Sequence, residues 1–360
     1  MKKNIVDLPN LVAELPHDIQ ELFARVFRVE KVIGRFADNQ ETDTALKKIF
    51  GTTQGYKEQD IVKVFNRLTY EGTLYNSVRA RRPLKIALKE DDFKKALKSA
   101  KRDFDYVPED VFGSVRGTHS FTSANIAKYD SMHSLVIFDD DNPLDFDRDE
   151  IRDYFDTAVQ WFHKAHATVP EAIYPLFIWN CLWKSGGSIV HGHAQILLAS
   201  DRHYARVDYL RHVSHEYEKK YVSNYFADLY RVHEALGLGL EHEHIRLMAY
   251  LTPLKEKELL IFTPKVDEVF TDFLYEVLHC YIHDIGVMSF NLAMAFPPFK
   301  HRDEEWGHFP VVVRIVDRGD PLSKISDIGA MELYAQSVVA SDPFLVFEAL
   351  HKRLQAKKSS

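Results

Sequence analysis

Cysteine is nearly absent from this chain: Cys181 and Cys280 are the only two in 360 residues. They lie far apart and neither belongs to a CxxC pair, which leaves no disulfide framework and argues against a cysteine-built zinc site. An excess of basic charge is also missing. Lys and Arg number 46 against 53 Asp and Glu, for a formal charge of −7. Without a concentrated basic footprint there is no support for DNA binding or for a membrane-surface role. Long apolar runs are missing as well: no stretch approaches membrane-spanning length, and the opening Met1-Lys-Lys-Asn-Ile-Val-Asp-Leu-Pro9 lacks the apolar segment of a signal peptide. From these absences a reduced, cytoplasmic protein is expected. With 46% hydrophobic and 28% charged residues, the composition is that of an ordinary globular chain, long enough for two domains or one duplicated domain.

The periodicity divides the chain into three regions. Residues 1–70 are expected to form a helical N-terminal extension, since Pro16–Phe27 and Asp60–Leu68 both place apolar residues at helical spacing. A basic knot, Thr73-Leu-Tyr-Asn-Ser-Val-Arg-Ala-Arg-Arg-Pro83, leads to a charged amphipathic helix over 86–105. In residues 71–200, strands between Ser120 and Phe138 precede a helix at 148–167 and a hairpin at 173–198. In residues 201–345, a helix at 203–220 precedes strands at 245–251 and 258–263, a helix at 265–284, and strands at 287–297 and 309–316. The order strand, strand, helix, strand, strand thus occurs twice, which points to an internal duplication. Antiparallel hairpins flanked by helices give an α+β fold class.

The unusual segment is Ser188-Ile-Val-His-Gly-His-Ala-Gln-Ile-Leu-Leu198. It sets two imidazoles and a carboxamide at alternate positions in an apolar run. On a strand His191, His193 and Gln195 therefore share one face. Ile173–Asn180 reads as a partner strand, and Lys184-Ser-Gly-Gly-Ser188 supplies the turn. Asn180, Gly186, Gly187 and Ser188 then gather near the turn end. Small residues admit an anion to backbone N–H groups, and an imidazole can attack its phosphorus, so the arrangement suits a phosphate. Glu241-His-Glu-His244 has two histidines at alternate positions, as a metal site would, but is read as an exposed loop. His119, His133 and His308 are read as hydrogen-bonded core or rim residues, and the two cysteines as buried thiols.

Asn180, the glycine six positions on, the serine eight on, and the His-x-His-x-Gln beginning eleven on resemble the galactose-1-phosphate uridylyltransferase branch of the histidine-triad superfamily. That branch carries His-Pro-His-Gly-Gln in the same register. Arg79-Ala-Arg-Arg-Pro83 is similar to its N-terminal Arg-Ala-Lys-Arg-Pro segment, which implies phosphate contacts from Arg79 and Arg82. Ala249–Phe262 and Trp306–Arg314 are similar to the second-repeat strands. The likeness spans roughly 75–335 and implies two tandem histidine-triad-like repeats, 71–200 (catalytic) and 201–345, and a homodimer. It departs from the family at three places. The CxxC of the family's zinc site is absent. Trp306 stands where the first histidine of a second-repeat metal pair is found, leaving His308. Of the hexose-binding segment only Gly329 and Glu332 remain, so Glu332 is the one substrate contact implied there. Neither a metal nor another cofactor is therefore expected.

The resemblance implies that His193 is the nucleophile, attacking the α-phosphorus of a nucleoside diphosphate derivative to give a nucleotidyl-imidazole, with a phosphate-bearing acceptor taking the nucleotide in a second step. Its other ring nitrogen must keep a proton held by an acceptor, and a backbone carbonyl on the same strand can serve. Glutamine at 195 can donate to a phosphoryl oxygen but cannot shuttle protons, which favours transfer or phosphorolysis over hydrolysis. Asn180, Ser188 and the N–H groups near Gly186 and Gly187 would hold the phosphates, and Asn125 is a candidate for the ribose hydroxyls. The donor is expected to be a UDP-hexose, with a hexose 1-phosphate as acceptor. An adenine-nucleotide phosphorylase acting on a dinucleotide or ADP-sugar is the alternative. A non-catalytic nucleotide-binding protein is the reading from another class.

Overall fold

The computed structural model describes residues 2–81, 95, 97, 104, 107–300 and 304–358. The chain opens with helices α1 (Leu8–Ala13) and α2 (His17–Val26), strand β1 (Phe27–Arg35), helix α3 (Gln40–Phe50), and strands β2 (Glu58–Asn66) and β3 (Gly72–Tyr75). The middle carries β4 (Ser120–Ala124), β5 (Met132–Phe138), α4 (Arg148–Thr168), β6 (Tyr174–Cys181) and β7 (His193–Ala199). Helices α5 (Ala205–Tyr221) and α6 (Tyr225–Leu236) lead to β8 (Gly239–His242), β9 (Ile245–Ala249), β10 (Glu256–Thr263), α7 (Glu268–His279), β11 (Phe290–Ala295) and β12 (Val311–Asp317). The chain closes with α8 (Ala330–Tyr334), β13 (Ser337–Val339) and α9 (Pro343–Lys358). The fold is α+β, with antiparallel-rich sheets flanked by helices.

Nine strands form one sheet in the order β4-β5-β7-β6-β11-β12-β10-β9-β8. The units β4-β5-α4-β6-β7 and β9-β10-α7-β11-β12 follow the same order along the chain. In space β4-β5-β7-β6 runs inward from one edge and β9-β10-β12-β11 from the other side, where β8 forms the edge, and β6 pairs with β11 between the two sets. A second sheet, β1-β2-β3-β13, has β13 parallel to β3. The first 75 residues are thereby joined to residues 337–339 rather than standing apart.

Helices α4 and α7 lie side by side on one face of the large sheet. The α4 start is fixed by a capping box between Asp147 and Glu150, and its buried residues Ile151, Tyr154, Phe155, Ala158, Trp161, Phe162 and Ala165 recur at the spacing of a single helical face. Phe155 meets Phe177 of β6 with ring centroids 4.7 Å apart, so the odd-numbered β6 residues face the helices. Across the helix pair, Arg152 grips Asp272 at 2.7 Å and Arg148 reaches Glu276 at 2.7 Å. The opposite sheet face carries the even-numbered residues of β6.

One expectation is corrected. Asp60–Leu68, read as helical, forms β2, paired along its length with β1. Val62, Val64 and Asn66 are buried and alternate with less buried neighbours. Two valines two apart with an Ile and a Phe beside them fit either period over nine residues. The β-branched side chains and the partner strand β1, which the sequence did not signal, decide for the extended form. The N-terminal region is mixed rather than helical. The stretch 86–105 lies almost wholly outside the described residues. The long helix at 148–167 and the strands of both hairpins stand where the periodicity put them, to within a few residues, except that β7 begins at His193 rather than Ser188. Cys181 and Cys280 are free and buried, and no helix among the described residues is long and apolar enough to cross a membrane.

Two buried histidines make the fold acid-sensitive. His233 Nδ1 donates to Leu229 O at 2.7 Å while Nε2 accepts from Leu251 N–H at 3.2 Å. His203 Nδ1 accepts from Tyr204 N–H at 2.8 Å. Burial pushes both rings down to about 4. The unfolded chain takes up these protons below about pH 6.5, whereas the fold does not. Stability is therefore full above that pH and falls toward pH 4, by roughly 1 kcal/mol per histidine per pH unit. Denaturant midpoints should decline steadily between pH 6.5 and 4.5, and a flat profile over that window would show that these rings titrate normally.

Candidate active site

The register of β6 builds the site. It pairs Ile178 with Gln195 of β7 on one side and with Ala293 of β11 on the other. Extending the β6–β7 register two residues past its last pair, Ile178–Gln195, brings Asn180 level with His193, and on its other side Asn180 pairs with Asn291. Directly paired residues share a sheet face. His193, Gln195, Ile178, Asn180 and Asn291 therefore stand together on the face away from α4 and α7.

His193 is buried, and its Nδ1 lies 2.8 Å from the carbonyl oxygen of His191. A carbonyl only accepts, so Nδ1 carries the proton and the lone pair is on Nε2. His191 sits just before β7, with its Nε2 2.7 Å from Phe138 O, and by the same logic this nitrogen donates. The His191 side chain thus pins the entry to β7 against the end of β5, while its backbone holds the His193 tautomer. Gly192 makes this approach feasible: a Cβ there would lie 2.6 Å from Phe138 Cδ2 and 3.1 Å from Asp140 O. Phe138 cannot yield, because its ring stacks on Tyr154 at 3.8 Å. The Phe104 ring meets both imidazoles edge to face, at 5.2 Å from His191 and 5.6 Å from His193.

The loop after β6 is tightly turned. Leu182 has φ 66° and ψ 174° with its side chain buried, a conformation costly for any residue with a Cβ. Its carbonyl accepts from Ser185 N–H at 3.2 Å, Ser185 Oγ at 2.6 Å and Gly187 N–H at 3.3 Å. A Cβ on Gly187 would lie 2.9 Å from Asn180 O and 3.0 Å from Leu182 O, so the loop folds back on itself only with glycine there. Gly186 takes φ 94°, and Ser188 is exposed in the following bend. Asn180 Oδ1 accepts from Asn291 Nδ2 at 2.6 Å, and the same nitrogen donates to Ser185 O at 2.9 Å. Arg318 then donates to Asn291 Oδ1 at 2.5 Å and forks onto Asp327 at 2.7 and 3.0 Å, which holds the Asp327 carboxyl below the usual carboxylate range despite its burial.

On the other side of His193, Gln195 Oε1 lies 3.1 Å from His133 Nε2. His133 is fully buried, and desolvation lowers its pKa, so the ring is neutral. Its Nδ1 accepts from Tyr129 N–H at 2.9 Å, which leaves the proton on Nε2 for Gln195. Asn125 Nδ2 is also 3.1 Å from that Nε2, a contact between two donors rather than a second hydrogen bond, and Asn125 Oδ1 accepts from Ala127 N–H at 3.0 Å.

Not every expected residue joins this group. Arg79 is exposed in a short 3-10 turn after β3, on the smaller sheet, and Arg82 lies outside the described residues. Glu332 caps α8 by accepting from Gly329 N–H at 2.8 Å. It lines a cavity of about 850 Å³ on the same open sheet face, together with Asn291, Ala293, Arg314 and Arg318. This cavity therefore lies beside the histidines rather than over them. His308 is exposed, with Glu218 at 3.4 Å. Residues 243–244 form the turn between β8 and β9, with His242 stacked on Phe273 and His244 3.3 Å from Asp267. No group of three or more His, Cys, Asp or Glu among the described residues is arranged to hold a metal ion. Sequence reasoning missed Phe104, Asn291 and Arg318 and treated His133 as core. A lone asparagine in the apolar run Phe290-Asn-Leu-Ala-Met-Ala295 was the one available signal.

No known family profile matches the chain, and no curated protein does. Solved structures nevertheless share its architecture: the chain has the fold seen in an ADP-glucose phosphorylase and in a uridylyltransferase. An ADP-glucose phosphorylase from Arabidopsis thaliana with bound ADP-glucose matches with a TM-score of 0.59 at 14% identity, over 79% of this chain and 96% of that one. A uridylyltransferase matches at 0.56 and 14% identity, over 70% and 90%. A GalT-like protein from Arabidopsis thaliana matches at 0.55 and 13% identity, over 70% and 90%. At such identities the likeness is one of fold.

Gly192→Ala should cost about 1–3 kcal/mol through the overlap with Phe138. Denaturation of the variant checks this, and an unchanged midpoint would mean that the strand entry has room to relax.

Proposed function

We propose that the protein is a nucleotidyltransferase or nucleotide phosphorylase that works through a covalent nucleotidyl-His193 intermediate. The observation that carries this reading is the 2.8 Å hydrogen bond from His193 Nδ1 to the His191 carbonyl. It commits the ring to the tautomer whose Nε2 lone pair can form a bond to phosphorus. Nε2 attacks the α-phosphorus of the donor. The P–N bond forms as the bond to the bridging oxygen breaks, and that electron pair leaves with the departing phosphate or sugar phosphate. The imidazolium so produced keeps its Nδ1 proton against the His191 carbonyl, which offsets the new positive charge. An ionised phosphate oxygen of the acceptor then attacks the same phosphorus, and the P–N electrons return to Nε2.

No proton has to move in either step, which fits a site with an amide at position 195. Water, by contrast, needs a base to become an acceptor. In this reading Gln195, Asn180 and Ser188 hold phosphate oxygens, while the N–H groups of Gly186 and Gly187 donate to Trp183 O at 3.1 Å and Leu182 O at 3.3 Å and shape the loop instead. His191 acts through its backbone and by anchoring the strand. Arg79 and Arg82 serve the leaving phosphate only if their segment reaches the site, and Asn125 serves the ribose only if it exchanges its present contacts. Glu332 would meet the acceptor across the neighbouring cavity. We read the two halves of the large sheet as tandem histidine-triad-like repeats, the first catalytic. UDP-hexose remains the donor proposed from the sequence motif, and a fold likeness to an ADP-glucose phosphorylase keeps the adenine alternative in play.

Incubation with UDP-glucose, ADP-glucose or diadenosine tetraphosphate, each without acceptor, followed by intact-mass measurement, tests the reading. The mass should rise by one nucleoside monophosphate with the correct donor, and the increment should vanish in His193→Ala. Nucleotide binding without any adduct would instead favour the non-catalytic binding protein.

A further inference from the structure

We infer that His133 and the Asn291–Arg318 pair are positioning residues that turn the NH₂ edges of Gln195 and Asn180 toward a phosphate at His193. The inference rests on the nucleotidyl-histidine reading and adds to it a fixed pair of donors flanking the nucleophile.

A carboxamide can present either edge, and its choice is set by what holds it. Each amide is held by a chain that begins at a group with only one hydrogen-bonding role. Arg318 can only donate, so the atom of Asn291 facing it at 2.5 Å must be the oxygen. The Asn291 nitrogen then faces the other way, toward Asn180 at 2.6 Å and toward Ser185 O at 2.9 Å, and a carbonyl there accepts only from a nitrogen. Asn180 must meet that donor with Oδ1, which leaves its Nδ2 on the opposite edge. On the other flank the Tyr129 N–H can only donate, so His133 Nδ1 accepts at 2.9 Å and Nε2 carries the proton. Gln195 meets that proton with Oε1 at 3.1 Å, and again the NH₂ edge is left over.

Both left-over edges belong to the face that carries His193. Asn180 lies two residues past the Ile178–Gln195 pair that ends the β6–β7 ladder, level with His193 by extension of that register, and Gln195 lies two residues on along β7. Charge on the non-bridging oxygens of a phosphoryl group grows as it is transferred, so donors already aimed there stabilise the transition state without reorganising. The reversed orientation of either amide would set an oxygen against the anion. Arg318 is itself anchored by Asp327 at 2.7 and 3.0 Å and therefore does not swing to the substrate in place of Asn180.

The test is a pair of double-mutant cycles read by the rate of adduct formation at saturating donor. Asn291→Asp keeps the shape and the Arg318 contact but offers Asn180 an oxygen instead of a nitrogen. His133→Phe fills the space without a donor. Each change alone should slow nucleotidylation by about tenfold or more, the scale of one lost transition-state donor. In an Asn180→Ala background Asn291→Asp should slow it less than about twofold further, and His133→Phe should do the same in a Gln195→Ala background, because the group to be positioned is gone. Thermal denaturation of every variant separates these losses from unfolding. Single variants that react at the unaltered rate would overturn the inference while the covalent reading stands. Losses that persist at full size in the alanine backgrounds would overturn it too, marking the residues as structural. If the unaltered protein forms no adduct with any of the three donors, the covalent reading fails and this inference falls with it.

Discussion

The hydrogen bond between His193 Nδ1 and the carbonyl of His191 is the contact on which the site depends. It links the first residue of β7 to the carbonyl two residues earlier, yet it needs the whole local fold to persist. The carbonyl is aimed by the strand entry, and the entry is pinned by the His191 side chain on Phe138 O. Phe138 in turn is fixed by its stack on Tyr154 of α4. A helix packed on the far face of the sheet thus determines which nitrogen of an imidazole on the near face carries a proton. Glycine at 192 is the concession that lets the strand come this close.

The sheet extends the same logic across the molecule. The row that runs Gln195, Ile178, Ala293, Arg314 crosses from β7 through β6 and β11 to β12, so the two halves address one surface. They use it differently. Arg314 is gripped by Glu258 at 2.6 Å and Glu71 at 2.7 Å, and burial raises the Glu258 pKa against the pull of the guanidinium. Where one half has amides and an imidazole, the other has an arginine held in place between two carboxylates. Such a cluster stays costly to disrupt because either partner alone would be a buried, uncompensated charge. The second half accordingly offers a large cavity beside the site rather than a second copy of its chemistry.

How much of this could be read from residue order follows from the range of the interactions. The hairpin carrying His193 was legible because its alternation and its glycine turn are local. The helix at 148–168 was legible because its apolar residues repeat along a single face. The stretch 60–66 was misread because its partner strand decides its conformation and lies some thirty residues earlier. The roles of Asn291, Arg318 and His133 were out of reach for a stronger reason. Each is an ordinary polar residue until sheet pairing brings it beside an amide on another strand. The motif spacing named the amides, but nothing local says which way an amide faces.

The pairing of β6 with β11, six residues long from Leu176–Ala295 to Cys181–Phe290, bears on how the molecule can move. Proteins that close over their substrates usually do so by hinging or sliding one lobe against another. Here the boundary between the halves is a ladder of backbone hydrogen bonds at the centre of a single sheet, and neither motion is open to it without breaking that ladder. Any opening or closing of this face must then be the business of the segments that lie over the sheet, while the two halves keep one fixed frame.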